Sequence, residues 1–319
     1  MAESTDETQC SESDSELNTQ DPPSAGIHDG KYEDPLKGGM CPTNVVVRKY
    51  RRDWQPKHAF REFYQNWCVH AISTPSGFVS RSNLDRDDAI REANDLGRRH
   101  FDKLRHDDKQ TLCFRAVYPD NGADLGFIRL KKRSGILELT NYNARLKGES
   151  LGIGGTSKEV KTHLAGRHGE GYKIAAAVLM QHKYAVIIKA SDCVWYGVVP
   201  AKGKRHGELL CFDIKKKSAA ELQKAKETYA KKTSGGAKVS LRQNVWEDVT
   251  VTIGVLGIKG RPPGRSVTKE DFLRWIEFGL DLDPPTKIIK TDFGSILFDE
   301  NHQNRLYLKG ILLKDGAGS

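Results

Sequence analysis

The sequence predicts an α+β fold, a two-layer sandwich in which helices cover one face of a mixed or antiparallel sheet. Three features predict it. One segment carries apolar residues at helical spacing, while several short runs alternate apolar and polar residues and are rich in β-formers. The elements follow in the order helix, helix, strands, loops, helix, strands, without the strict βαβα alternation of a doubly wound parallel sheet. The hydrophobic share of 37% over 319 residues is low but sufficient for a packed core, and no internal repeat points to a solenoid.

Residues 1–40 hold almost no large apolar side chains, so burial cannot offset the entropy of ordering them; they are expected to form a disordered acidic tail. Order is expected from about Val45. The stretch HAFREFYQNWCVHAI (58–72) reads as a helix whose apolar face is Phe60, Phe63, Tyr64, Trp67 and Ala71. A second, charge-dense helix is expected over about Asp85 to Arg105. TLCFRAVY and SGILELTNY read as strands separated by the turn-rich PDNGADLG.

Downstream, YAVIIKAS and CVWYGVVPA read as two strands joined by Ser191 and Asp192, and GELLCFDI and VTVTIGVLGI as two more. Between these last two, SAAELQKAKETYAKK reads as a polar helix ending at SGG. Thr268 and Asp271 form a capping pair ahead of FLRWIEFGL, and GSILFDENHQNRLYLKGILL reads as a hairpin. Residues 45–260 are thus read as one domain, and 261–319 as a small C-terminal extension of helix and hairpin.

The charge is unevenly distributed. Ten acidic residues stand against Lys31 and Lys37 in residues 1–40, a charge of about −8 that leaves about +17 on the rest of a chain whose total is +9. A basic body suits a polyanionic partner such as a nucleotide or a nucleic acid, and RLKKR and KGKRH are the densest basic stretches; a solvated Lys/Arg surface explains them equally well. The six cysteines, Cys10, Cys41, Cys68, Cys113, Cys193 and Cys211, form no CxxC pair, which suits reduced thiols better than a disulfide or zinc framework. No stretch approaches the ~20 apolar residues of a membrane span, and the N-terminus resembles neither a secretory signal nor a presequence. The expectation is a soluble protein of the nucleus or cytoplasm without a membrane partner.

Three separate features carry chemistry. In REFYQNW, Glu62 and Asn66 are four residues apart and share a helical face turned away from the apolar stripe. A carboxylate and an amide so placed can hold a water and a hydrated Mg²⁺, which prefers oxygen ligands. At the end of a strand, LTNYN puts Asn141 and Asn143 where sheet turns into loop. In LAGRHGEGYKIAAAVL, Gly166, Gly169 and Gly171 precede a buried-helix pattern. Helix N-terminal amides favour an anion and glycine lets a phosphate approach, but neither GxxxxGK[ST] nor GxGxxG is present.

In that chain order, these features resemble the Bergerat-fold ATPases of the GHKL group, which include the ATP-hydrolysing part of DNA gyrase, the ninety-class heat-shock chaperones, MutL, the MORC proteins and histidine kinases. Such proteins carry ExxxN in a first helix, DxGxG at a strand end and a glycine-rich GxxGxG lid. The lid here is nearest to MORC-like and chaperone-like members, and the QNW first helix resembles that of some fungal proteins. The resemblance covers about residues 45–260 and implies a Bergerat fold with ATP and Mg²⁺ as cofactors. It implies Glu62 as the general base, Asn66 as the Mg²⁺ ligand, and Gly166, Gly169 and Gly171 as the phosphate lid. SLGIGGTSK is similar to the family's loop near the nucleotide, which brings in Thr156 and Lys158, and Lys173 sits just inside the following helix.

The match has departures. The family's Asp three residues after the Asn of the first helix is Val69 here, followed by His70. Asn141 takes the place of the Asp that accepts from the adenine amino group, and Asn143 that of the first Gly of DxGxG. A neutral acceptor contributes about 0.5–1.5 kcal/mol against about 1.5–3 for a charged one, so this contact alone weakens affinity about tenfold. In several proteins of that group a lysine from the next domain reaches the γ-phosphate; Lys309 is the candidate counterpart here, but a hairpin lysine in solvent is the favoured reading of it. The sequence therefore leaves three readings open: slow Mg²⁺-dependent ATP hydrolysis coupled to conformational change, with a nucleotide-dependent dimer; a nucleotide-binding scaffold without turnover; and a nucleic-acid-binding module.

Overall fold

In the computed structural model the described residues are 38–47, 53–73, 102–118, 121–146, 171–201, 203–204, 206–233, 241–254, 264–291, 294–308 and 311–315. They form an α+β fold with a nine-stranded sheet in the order β1-β8-β7-β6-β9-β5-β4-β3-β2. Its strands are β1 (Gly39–Val46), β2 (Asp102–Asp107), β3 (Thr111–Val117), β4 (Asp124–Lys131), β5 (Ile136–Asn141), β6 (Ala185–Ala190), β7 (Cys193–Val198), β8 (Leu209–Lys216) and β9 (Val249–Gly254). Every pairing among them is antiparallel.

The helices are α1 (Pro56–Ser73), α2 (Gly171–Gln181), α3 (Ala219–Thr233) and α4 (Lys269–Ile276). Helix α1 opens on Pro56, whose missing N–H costs nothing in a first turn. Its expected apolar face is the one it buries: Phe60, Phe63, Tyr64 and Trp67 are all nearly inaccessible. Phe60 packs on Phe272 and Trp275 of α4, with ring centroids 5.7 and 6.0 Å apart. Ala175, Ala176 and Ala177 of α2 are fully buried, and their small side chains let the helix lie close to α1 and the sheet. Thr268 caps α4 by accepting from the Asp271 N–H at 3.0 Å.

Side chains alternate along each strand, so the two faces of the sheet differ. Leu137 and Leu139 of β5 and Ile128 and Leu130 of β4 join the helix-side core. The opposite face carries Arg129, Lys131, Glu138 and Thr140. The segment after α3 lies over these groups: Arg129 donates to the Leu241 carbonyl, and Gln243 to Glu138.

Ser191 and Asp192 turn β6 into β7 with φ of 52° and 62°, the doubly left-handed turn that matches strand twist. Four readings of the sequence are corrected. Residues 102–105, expected to end a helix, lie in β2, which pairs with β3; the rest of that expected helix lies outside the described residues. The strand β4 begins inside PDNGADLG, so this stretch turns between β3 and β4 rather than between β3 and β5. Gly39 and Met40, expected in the acidic tail, belong to β1, which pairs with β8; residues 1–37 lie outside the described residues. The C-terminal segment forms two hairpins, β10 (Ile288–Thr291) with β11 (Gly294–Leu297) and β12 (Arg305–Leu308) with β13 (Ile311–Asp315), where one was expected.

Candidate functional site

The helix side of the sheet brings Glu62, Asn66, Asn141, Gly171 and Lys173 onto three adjoining elements. Glu62 and Asn66 lie one turn apart on α1, and the Asn66 Nδ2 donates to the Glu62 carbonyl at 2.9 Å. That bond uses one N–H of the carboxamide; the carboxamide oxygen and the Glu62 carboxylate are the hard oxygen donors of the pair. The Glu62 carboxylate is partly buried beside the first residue of α2. A Cβ on Gly171 would come within 2.7 Å of Glu62 Oε2. Glycine at 171 lets this carboxylate approach without displacement, and the positive end of α2 favours a negative group there. Arg61 stands next to it, with Nη2 3.5 Å from Glu62 Oε1 and a buried Nε that has no hydrogen-bond partner among the described residues.

Asn141, at the end of β5, is tied to the same helix by a reciprocal pair of bonds. Its Nδ2 donates to the Trp67 carbonyl at 2.7 Å, and the Trp67 indole Nε1 donates to the Thr140 carbonyl at 2.7 Å. The carbonyl can only accept, which fixes the amide orientation and leaves Asn141 Oδ1 as the acceptor the side chain can offer a ligand. Gly126 on β4 allows this junction to close, since a Cβ there would meet the Thr140 carbonyl oxygen at 2.2 Å.

The next turn is built on a residue whose role the sequence did not reveal. Asp248 is buried and accepts from the backbone N–H groups of Asn143 at 3.2 Å and Asn244 at 2.8 Å. Burial raises its pKa to about 6 despite these bonds. Asn143 adopts φ of 49°, a left-handed conformation that asparagine tolerates better than most residues.

Lys173 is fully buried and engaged within the fold. Thr156, Lys158, Gly166, Gly169 and Lys309 lie outside the described residues. The basic stretch RLKKR is used internally: Arg129 and Lys131 both bond to the buried Glu138, at 2.8 and 2.7 Å. Among the described residues no group of three or more His, Cys, Asp or Glu could hold a metal ion, and no helix is long and apolar enough to cross a membrane.

Comparisons with protein-family models, with curated proteins and with solved structures return no match.

Proposed function

We propose that the chain is an ATP-binding protein of the GHKL type with a Bergerat fold, which hydrolyses ATP slowly and couples this to movement of the glycine lid. The observation that carries the reading is the contact of Glu62 with Gly171, with Asn66 one turn along the same helix. The motif elements that are distant in sequence thus meet on the helix side of the sheet. The carboxamide of Asn141 supports the adenine end, because its committed nitrogen leaves an oxygen to accept from an exocyclic amine.

In this reading Glu62 orients a water and takes its proton as the water oxygen bonds to the terminal phosphorus, while the bond from phosphorus to the bridging oxygen breaks and ADP leaves. Asn66 Oδ1 would hold Mg²⁺. The donor set fits a cation that draws its other ligands from the nucleotide phosphates and water, as this ion commonly does. Bound there, it would neutralise phosphate charge. Lys173, Gly166 and Gly169, with Thr156 and Lys158, would face the phosphates.

A scaffold that binds nucleotide without turnover is the second reading, favoured by the neutral Asn141. Phosphate release separates the two. The ATPase reading expects Glu62→Ala to retain nucleotide binding and lose turnover, whereas the wild-type chain of a scaffold binds ATP and releases no phosphate.

A further inference from the structure

The outer face of the sheet, opposite the helices, holds a cluster that the Glu62 region does not use. Cross-strand register sets its layout. Arg129 of β4 pairs with Glu138 of β5, Glu138 with Thr252 of β9, and Thr252 with Ile187 of β6. Two residues along, on the same face, Thr140 pairs with Thr250 and Thr250 with Lys189. Glu138 and Lys189 are therefore two strands apart, about 10 Å between backbones at ~4.8 Å per strand. Thr250 and Thr252 form the floor between them.

Two polar groups of this cluster lack a partner. Thr252 is 4% exposed, and its Oγ1 has no hydrogen-bond partner among the described residues. Buried hydroxyls are seldom left so, because nothing then replaces the water they gave up. The neighbouring hydroxyls are satisfied, since those of Thr140 and Thr250 bond to each other at 3.0 Å. Lys189 is half-buried, and among the described residues its ammonium makes no hydrogen bond or ion pair. Burial holds its pKa below the ordinary lysine value, against the pull of Glu138.

The charges do not balance. Arg129 is fully committed: Nε and Nη2 bond to Glu138 Oε2, and Nη1 to the Leu241 carbonyl. Lys131 gives one of its three ammonium donors to Glu138 and stays 41% exposed, so the cluster opens to solvent. Three cations, Arg129, Lys131 and Lys189, thus stand against the one carboxylate of Glu138, a surplus of two positive charges. Lys217 adds repulsion at Lys189. A divalent oxyanion balances that surplus, where a single carboxylate leaves half of it. Its oxygens can also accept from several sides at once, which suits ammonium groups on flexible stems beside a fixed hydroxyl.

We propose that this face is a phosphate site, for the free ion or the terminal phosphate of a small ester, in which Lys189, Lys131 and the Thr252 hydroxyl donate to the phosphate oxygens. Arg129 and Glu138 hold Lys131 in place without touching the ligand. The site lies across the sheet from Glu62 and stands independently of the proposed ATPase activity.

Calorimetric titration of the full chain with inorganic phosphate, and separately with glycerol 3-phosphate, tests it, and the tighter of the two distinguishes free ion from ester. Saturable binding is expected for at least one. It is weakened about tenfold in Lys189→Gln, which loses a charged donor, and about fivefold in Thr252→Val, which keeps the side-chain shape and loses only the hydroxyl. Thr252→Val carries the test if Lys189→Gln fails to fold, because the hydroxyl it removes has no partner among the described residues. Asn66→Ala is expected to bind both probes as the wild type does. No saturable binding, or binding that either Lys189→Gln or Thr252→Val leaves unchanged, would overturn the proposal. So would binding that is lost in Asn66→Ala and kept in Lys189→Gln.

Discussion

Glu62 Oε2 lies against the backbone of Gly171, so close that a methyl group there would come within 2.7 Å of it. The contact joins the first helix to the head of the helix that follows the glycine-rich segment. The atom in the way is the end of a flexible side chain, so an alanine at 171 moves the carboxylate rather than the backbone. Gly171→Ala is expected to lower turnover about tenfold, the cost of ~1.4 kcal/mol in the transition state. Its Tm should change little, since 1 kcal/mol corresponds to about 2–4 °C in a domain of this size.

Gly126→Ala gives the opposite outcome. Its Cβ would meet a backbone carbonyl at 2.2 Å and the Trp67 indole nitrogen at 3.2 Å, neither of which can swing away. A loss of at least about 2 kcal/mol, seen as a clear drop in the urea midpoint, is expected.

An aspartate at position 141 is expected to harm the fold. The Asn141 Nδ2 donates to the Trp67 carbonyl, and a carboxylate cannot. Asn141→Asp would set an anion against a buried carbonyl, at a cost of about 1–3 kcal/mol. Denaturant unfolding of the two proteins at pH 7 measures this. A variant as stable as the wild type would show that this bond does not hold α1 to β5.

Asp248 makes stability fall with rising pH. Its carboxyl has a folded pKa of about 6 against an ordinary value of 3.8, so the folded chain holds the proton more tightly than the unfolded chain does. Its contribution is fully present below about pH 4 and is lost as the pH rises through about 6. Carboxylates with lowered pKa, such as Asp108 at about 2, act at lower pH and with the opposite sign. Tm measured between pH 4.5 and 6.5 should therefore decline less in Asp248→Asn than in the wild type.

Glu138 is the anion beneath the segment that crosses the outer face of the sheet. Its Oε2 takes two donors from Arg129, Nε at 3.1 Å and Nη2 at 2.8 Å, and its Oε1 takes Lys131 Nζ at 2.7 Å. Removing it strands a guanidinium that is 17% exposed. Glu138→Ala is expected to cost about 3–5 kcal/mol, measured by urea unfolding.

The elements that sequence reasoning recovered are those whose residue pattern follows from burial on one side. Helix α1, β3, β5, the β6–β7 hairpin and the Thr268 cap are of this kind. The misses have local causes. Strand β2 reads DKLRHD and lies at the sheet edge with Leu104 half exposed, so it carries no apolar alternation. Strand β4 begins within a run of turn residues, which hides its start. At the candidate site, the four-residue spacing of Glu62 and Asn66 was legible as one turn of a helix, which is where α1 places them. Asp248 was not, because its importance comes from two backbone N–H groups that only the fold brings to it.

The central claim is tested most directly by thermal stabilisation with Mg²⁺-ATP, measured on the wild type, Glu62→Ala and Asn66→Ala. The account predicts a shift in the wild type that grows with the logarithm of the ligand concentration above Kd and corresponds to about 2.7 kcal/mol at a hundredfold excess. It predicts a similar shift in Glu62→Ala and almost none in Asn66→Ala at the same concentration. No shift in the wild type, or equal shifts in the wild type and Asn66→Ala, would contradict it.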